Sequence, residues 1–105
     1  MTGPAFQVLG MDDAAATLRL VGELDLHGQA YAAEALRART ASDSDLTLDL
    51  SDLGFIDSSG IRVLISAHKE LSRHGRKLVL SAPRPTVKRV FDLLGLDRVG
   101  IEIRD

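Results

Sequence analysis

The chain has 105 residues, the size of one domain, and at that length a single core buries enough surface to hold without staples. It is 45% hydrophobic and 27% charged, but has three Phe, one Tyr and no Trp, so Leu, Val, Ile and Ala must build the core, and a stacking platform for single-stranded nucleic acid is disfavoured. The net charge of −2 argues against phosphate-backbone binding, and the absence of cysteine excludes disulfides and thiolate metal sites.

Nothing at the start, "MTGPAFQVLG", reads as a signal peptide, and no apolar run is long enough to span a bilayer, so a soluble cytosolic domain, one unit over 1–105, is the expectation. "AFQVLG" reads as a short strand and "MDDAA" as a turn. "ATLRLVGEL" alternates, with Leu18, Leu20 and Gly22 one way and Thr17, Arg19 and Val21 the other, completing a hairpin. "DLHGQAYAAEALRARTA" favours helix, with Tyr31, Ala35 and Ala38 on one side and Ala32 and Leu36 beside them. "DLTLDLSDL" returns to period two, Leu46, Leu48 and Leu50 opposing Thr47, Asp49 and Ser51. "GIRVLISAHKELSRHG" is the clearest helix. Its inner stripe is Ile61, Leu64, Ile65, His68 and Leu71, its outer face carries Arg62, Ser66, Lys69 and Arg73, and Gly75 suits a stop. "KLVLSAP" is a strand. "RPTVKRVFDLLGLD" is a helix with Val87, Val90, Phe91 and Leu94 inward and Gly95 at its end, and "GIEIRD" is a last strand.

The order is β-β-α-β-α-β-α-β, an α/β domain with a mixed, largely parallel sheet. Strands that alternate, rather than run apolar throughout, place the helices mainly on one face and leave the other partly wet.

The seam "FIDSSG" joins the third strand to the second helix, at the carboxyl end of the sheet, where sites of open α/β folds gather. Asp57, Ser58 and Ser59 are all capping types, and one cap suffices, which leaves a hydroxyl over. A nucleophilic serine needs a base and an elbow. The G-x-S-x-G pattern is absent, His68 and His74 are badly placed, and only His27 lies in a loop that can approach. No G-x-x-x-x-G-K-[ST] loop supports nucleotide binding. An exposed serine at a helix start can instead be a substrate. An added phosphate would meet free N–H groups and the positive end of the helix dipole, and would add about −1.5 to −2 charges beside Asp57. Phe55 and Ile56, just before the seam, read as core.

"FIDSSGIRVL" after "LTLDLSDL", "LVGELDLHG" after the second strand and "PTVKRVFDLLGLDRV" near the end together resemble the STAS-domain anti-sigma factor antagonists, in the family's order and over nearly the whole chain. The resemblance implies a STAS-type single domain. It makes Ser59, just before the motif glycine, the phosphorylated residue, with Ser58 as its neighbour and runner-up. It implies that the unphosphorylated domain binds an anti-sigma factor, an ATP-binding serine kinase of the histidine-kinase-like ATPase type, and so frees a sigma factor. Phosphorylation then ends binding, and a metal-dependent serine phosphatase resets the cycle. On this resemblance the chain is not an enzyme and needs no cofactor. Asp25 and Asp57 match the family's acidic positions near the acceptor. Placement adds Glu23 and His27, in the loop at the same end of the sheet, and Arg62, one turn from Ser59, so the candidate partner-binding residues are Glu23, Asp25, His27, Asp57, Ser58, Ser59, Gly60 and Arg62, and no catalytic or metal-ligating residue is expected. The family usually continues into a C-terminal helix, where this sequence stops at Asp105. A STAS domain acting unphosphorylated, as a scaffold or a transport-system subunit, is the alternative, and it often lacks a hydroxyl at the acceptor position.

Overall fold

In a computed structural model, residues 6–10, 17–40 and 44–105 are described. The turn expected at 11–15 lies outside the described residues. Strands β1 (Phe6–Gly10) and β2 (Thr17–Leu24), helix α1 (Gln29–Thr40), β3 (Leu46–Ile56), α2 (Ser58–Arg73), β4 (Leu78–Ser81), α3 (Pro85–Leu94), the 3-10 turn Leu96–Val99 and β5 (Glu102–Arg104) follow in that order. The expected β-β-α-β-α-β-α-β succession is the one observed.

The five strands lie side by side in chain order, β1-β2-β3-β4-β5. β1 runs antiparallel to β2, Phe6 opposite Gly22 and Gly10 opposite Leu18. The β2–β3, β3–β4 and β4–β5 pairs are parallel. Each helical crossover therefore steps one strand further in the same direction. Crossovers of one hand then put α1, α2 and α3 on a single face of the sheet.

Beneath the helices the core takes every second strand residue. Leu18, Leu20 and Leu24 of β2, Leu46, Leu48 and Leu50 of β3, and Leu78 and Leu80 of β4 are all buried. The opposite face carries Thr47, Asp49, Ser51 and Glu102, each only partly covered.

β3 departs from strict alternation. Its register against β2 shifts twice, from Arg19–Asp49 to Val21–Asp52 and from Gly22–Leu53 to Glu23–Phe55. Each shift inserts one extra β3 residue, so the inward positions become Leu50, Leu53 and Ile56, three apart, and all three are buried. Gly54 and Phe55 are both left outside, which corrects the expectation that Phe55 belongs to the core. Asp49 pins the first bulge. Its Oδ1 accepts from Ser51 N–H (3.0 Å) and Ser51 Oγ (2.7 Å), and its Oδ2 accepts from Arg19 Nε (3.2 Å). Burial raises the Asp49 carboxyl, but the Ser51 and Arg19 hydrogen bonds outweigh it and hold the group below the usual carboxylate range.

Two helices sit differently from their expected faces. α1 turns Ala32, Leu36 and Thr40 inward, a row at spacing four, while Tyr31 is half exposed and meets the Phe6 ring edge-on at 6.0 Å. In α3, Val87 and Phe91 are buried as expected, but Leu94 is exposed. The helix stops at Gly95 in the left-handed conformation (φ 66°). The turned backbone carries Leu96, not Leu94, into the core. α2 buries Ile61, Leu64 and Leu71 of its expected stripe together with Val63 and Ala67, while Ile65 and His68 are only partly covered, so its inward face is turned from the expected one.

Candidate functional site

The carboxyl ends of β2 and β3 are held together by the Leu24–Ile56 pair and by Asp57 N–H donating to Leu24 O (3.2 Å). α2 starts from that junction. Asp57 is its N-cap, with extended backbone, and its Oδ1 accepts from the N–H groups of Ser59 (2.9 Å) and Gly60 (3.2 Å). Ile61 N–H donates to Asp57 O (3.0 Å) and begins the regular helical ladder. Of the three capping types in the seam, the carboxylate does all the side-chain capping. Both serine hydroxyls are then unengaged among the described residues. Ser58, at the first helical position, is exposed; Ser59, at the second, is partly buried.

Gly60 fixes how closely α2 approaches the sheet. A Cβ there would lie 2.6 Å from Ile56 Cγ1, 2.7 Å from Leu24 Cγ and 2.8 Å from Leu24 O. Two of these neighbours are packed core side chains and the third is backbone, so only glycine lets the helix start sit this low. The serines are set on a rigid corner as a result.

The cap alters one expectation. The N–H groups of Ser59 and Gly60, which the sequence offers to an added phosphate, are already taken by Asp57. A group added at Ser59 would not find those two N–H groups free. Arg62, three residues on, is exposed and has no anionic partner among the described residues, so it is a cation one turn from Ser59, free to meet such a group or a partner's carboxylate.

The β2–α1 loop flanks the corner. Asp25 closes it as a turn: Gly28 N–H donates to Asp25 O (3.1 Å) and His27 N–H donates to Asp25 Oδ1 (3.0 Å). Ala32 N–H then donates to Gly28 O (2.9 Å), starting α1. His27 Nδ1 stands 3.8 Å from Asp25 Oδ1 on an almost fully exposed ring. No base lies within hydrogen-bonding reach of Ser59 Oγ among the described residues, so the geometry gives a nucleophilic serine no support. Glu23 is exposed, beside Phe55 in the strand register, with no cationic partner among the described residues. The eight residues singled out in the sequence thus belong to two strand-to-helix junctions, β2–α1 and β3–α2, at one end of the sheet. Sequence reasoning missed Leu26 and Phe55, exposed apolar side chains of these same strand ends. The bulge that sets Phe55 outside carries no composition signal. The helix expected from Asp25 begins instead at Gln29, and the "DLHG" turn before it presents Leu26.

A groove of about 370 Å³ runs between α1 and α2, lined by residues of 33–40 and 63–70 such as Ala33, Thr40, Val63 and Ala67. Its charged members are paired, Arg37 with Glu34 (2.9 Å) and Glu70 with Arg73 (3.3 Å). It contains none of the corner residues. Among the described residues, no cluster of three His, Asp or Glu could hold a metal ion, and no helix is long and apolar enough to cross a membrane.

Comparison with known proteins agrees with the architecture. The chain is 31% identical over 97 residues to an anti-sigma F factor antagonist of Lysinibacillus sphaericus, covering 87% of this chain and 80% of that protein. An anti-sigma factor antagonist from Mycobacterium paratuberculosis superposes with a TM-score of 0.82 at 25% identity, covering 99% of this chain and 90% of the other. The phosphorylated form of the Bacillus cell fate determinant SpoIIAA shares the fold, with a TM-score of 0.69 at 24% identity over 96% of this chain and 91% of that one. The family model described as STAS domain matches residues 7–105, and the chain belongs to that family.

Proposed function

We propose that this chain is an anti-sigma factor antagonist, a binding module of one STAS domain over 1–105 that is switched by phosphorylation at Ser59 and catalyses nothing itself. The observation that carries the proposal is the corner at 57–60: a carboxylate does the capping and leaves two hydroxyls unengaged on a rigid, solvent-facing helix start. The names of its relatives support the same role.

The partner is an anti-sigma factor that is also an ATP-dependent serine kinase of the histidine-kinase-like ATPase type. Docked on the loops at 23–27 and 57–62, it brings the terminal phosphate of ATP to Ser59 Oγ. The Oγ–P bond forms as the bond from the terminal phosphorus to the bridging oxygen breaks. The hydroxyl proton passes to the kinase and ADP is left. The product carries about −1.5 to −2 charges, set against Asp57 on one side and against the partner's nucleotide on the other. Repulsion in that pose ends the complex. A metal-dependent phosphatase removes the phosphate, and both partners meet the chain in the cytoplasm.

The test is intact mass and peptide mapping after incubation with ATP and the kinase, wild type beside Ser59→Ala. One phosphate on Ser59, absent from the variant, is expected. Ser59→Ala should keep the fold and bind the kinase persistently, and Ser59→Asp should bind more weakly. Binding without any phosphate on wild type would turn the assignment to a STAS scaffold that is not switched; phosphate on Ser58 would move the switch by one residue.

A further inference from the structure

We propose that two copies of this chain join through the outer edge of β1, antiparallel about a twofold axis at Val8, so that one sheet runs on through both.

β1 is an end strand. β2 lies on its inner side, and among the described residues no strand lies on its outer side. Alternate backbone N–H and C=O groups of Phe6–Gly10 therefore point outward, a ready template for another strand. The two edges of the sheet are guarded differently. The far edge strand, β5, is short and carries Glu102 and Arg104, with Lys77 Nζ 4.0 Å from the Glu102 carboxylate. Such charges keep a second strand away. β1, FQVLG, carries no charge at all. Its Leu9 is 45% exposed on the face away from the helices, in register with Arg19.

The edge is complementary to itself. Antiparallel pairing about a twofold axis makes a closed, isologous contact, and an axis at Val8 pairs the whole of Phe6–Gly10. α1 runs alongside β1 in the same direction. At one end Tyr31, half exposed, meets the Phe6 ring edge-on; at the other, Arg39 Nη2 lies 3.5 Å from the place a Gly10 Cβ would take. Arg39 has no anionic partner among the described residues. The twofold sets Phe6 opposite the partner's Gly10. The raised Phe6–Tyr31 end of each copy then meets the low glycine end of the other, and each Tyr31 ring comes to the partner's Arg39, a cation–π contact at both ends of the interface. On the other face Leu9 stands across from the partner's Gln7, with the partner's Leu9 in diagonal reach. β2 of one copy then runs opposite to β2 of the other. The two corners at 57–60 face opposite ends of the joined sheet, and neither blocks the other.

Sedimentation velocity of the purified chain from about 1 μM to about 1 mM tests the pairing, with Kd expected on the order of 10–100 μM for so small a contact. Gln7→Lys combined with Leu9→Lys sets lysine across from lysine at exposed positions and should raise Kd at least about tenfold. Arg39→Glu, on the helix rather than the strand, should raise it about fivefold or more. Circular dichroism and Tm of the monomer should stay at wild-type values in both. The chain has no cysteine, so Val8→Cys reports the axis. Directly opposed Cα atoms of an antiparallel pair lie about 4.5–5.5 Å apart, within reach of a disulfide. Mild oxidation should therefore give a covalent dimer of Val8→Cys at concentrations where Leu93→Cys, at an exposed position of α3, stays monomeric. A wild type that is monomeric at every concentration overturns the proposal and leaves the edge to a strand of another protein. A dimer that the lysine pair and Arg39→Glu leave unchanged, or that Val8→Cys fails to cross-link, overturns it as well.

Discussion

A methyl group at position 60 would sit 2.6 Å from Ile56 Cγ1 and 2.8 Å from Leu24 O. In an exposed helix, replacing glycine by alanine stabilises by up to about 1 kcal/mol. Here the clash runs against that gain, because closing it means lifting α2 off the strand ends or displacing two packed leucine-like side chains. Gly60→Ala should lower unfolding free energy by about 1–3 kcal/mol in denaturant titration. Asp57→Ala loses two hydrogen bonds at the same corner and should cost about 1 kcal/mol, with Asp57→Asn recovering most of it. A stable Gly60→Ala protein would mean that the helix start is looser than its contacts indicate. The seam was legible in the sequence as a cap with a hydroxyl to spare. Which residue caps was not, because Asp and Ser compete for the same N–H groups and only backbone geometry decides between them.

At the level of single elements, β3 shows where pattern reading stops. Leu46, Leu48 and Leu50 announced a strand of period two, and they are buried as a row. The period then becomes three, through Leu53 to Ile56, and Phe55 falls outside. Apolarity cannot signal such a slip, since Phe suits either side of a strand. Leu94 left its expected inward place for a similar reason: the left-handed Gly95 redirects the chain by an angle that helical periodicity does not contain, and Leu96 enters the core instead. The bulge itself yields a pH prediction. Asp49 is held below its ordinary value in the folded state by Ser51 and Arg19 against the opposing effect of burial. The unfolded chain therefore binds the proton more readily near pH 4, and the stabilisation is present above that point and lost as pH falls through the lowered folded value. Thermal melts from about pH 5 down to about pH 2 should show a steeper decline for wild type than for Asp49→Asn. Parallel curves would remove Asp49 from the acid response.

At the scale of the whole molecule, the helix layer and the uncovered sheet face were both foreseen from alternating strands, because a sheet covered on both faces has no polar rows such as Thr47, Asp49 and Ser51. The phosphorylation proposed at Ser59 would add charge without touching this core. It takes the formal net charge from −2 to about −4. The phosphorylated chain should elute later from an anion exchanger at unchanged hydrodynamic radius, with amide exchange at Leu48 and Leu80 as slow as before. Accelerated exchange there would mean that the modification is read through unfolding. The monotonic order β1-β2-β3-β4-β5 has a consequence for synthesis. Every strand pairs with the one made just before it, so the sheet can be laid down in the order in which residues leave the ribosome, each parallel addition closing a single helical crossover. The loops at 23–27 and 57–62 are both complete once α2 has emerged. Both strand-to-helix junctions are thus laid down in the chain before α3 and β5 are added.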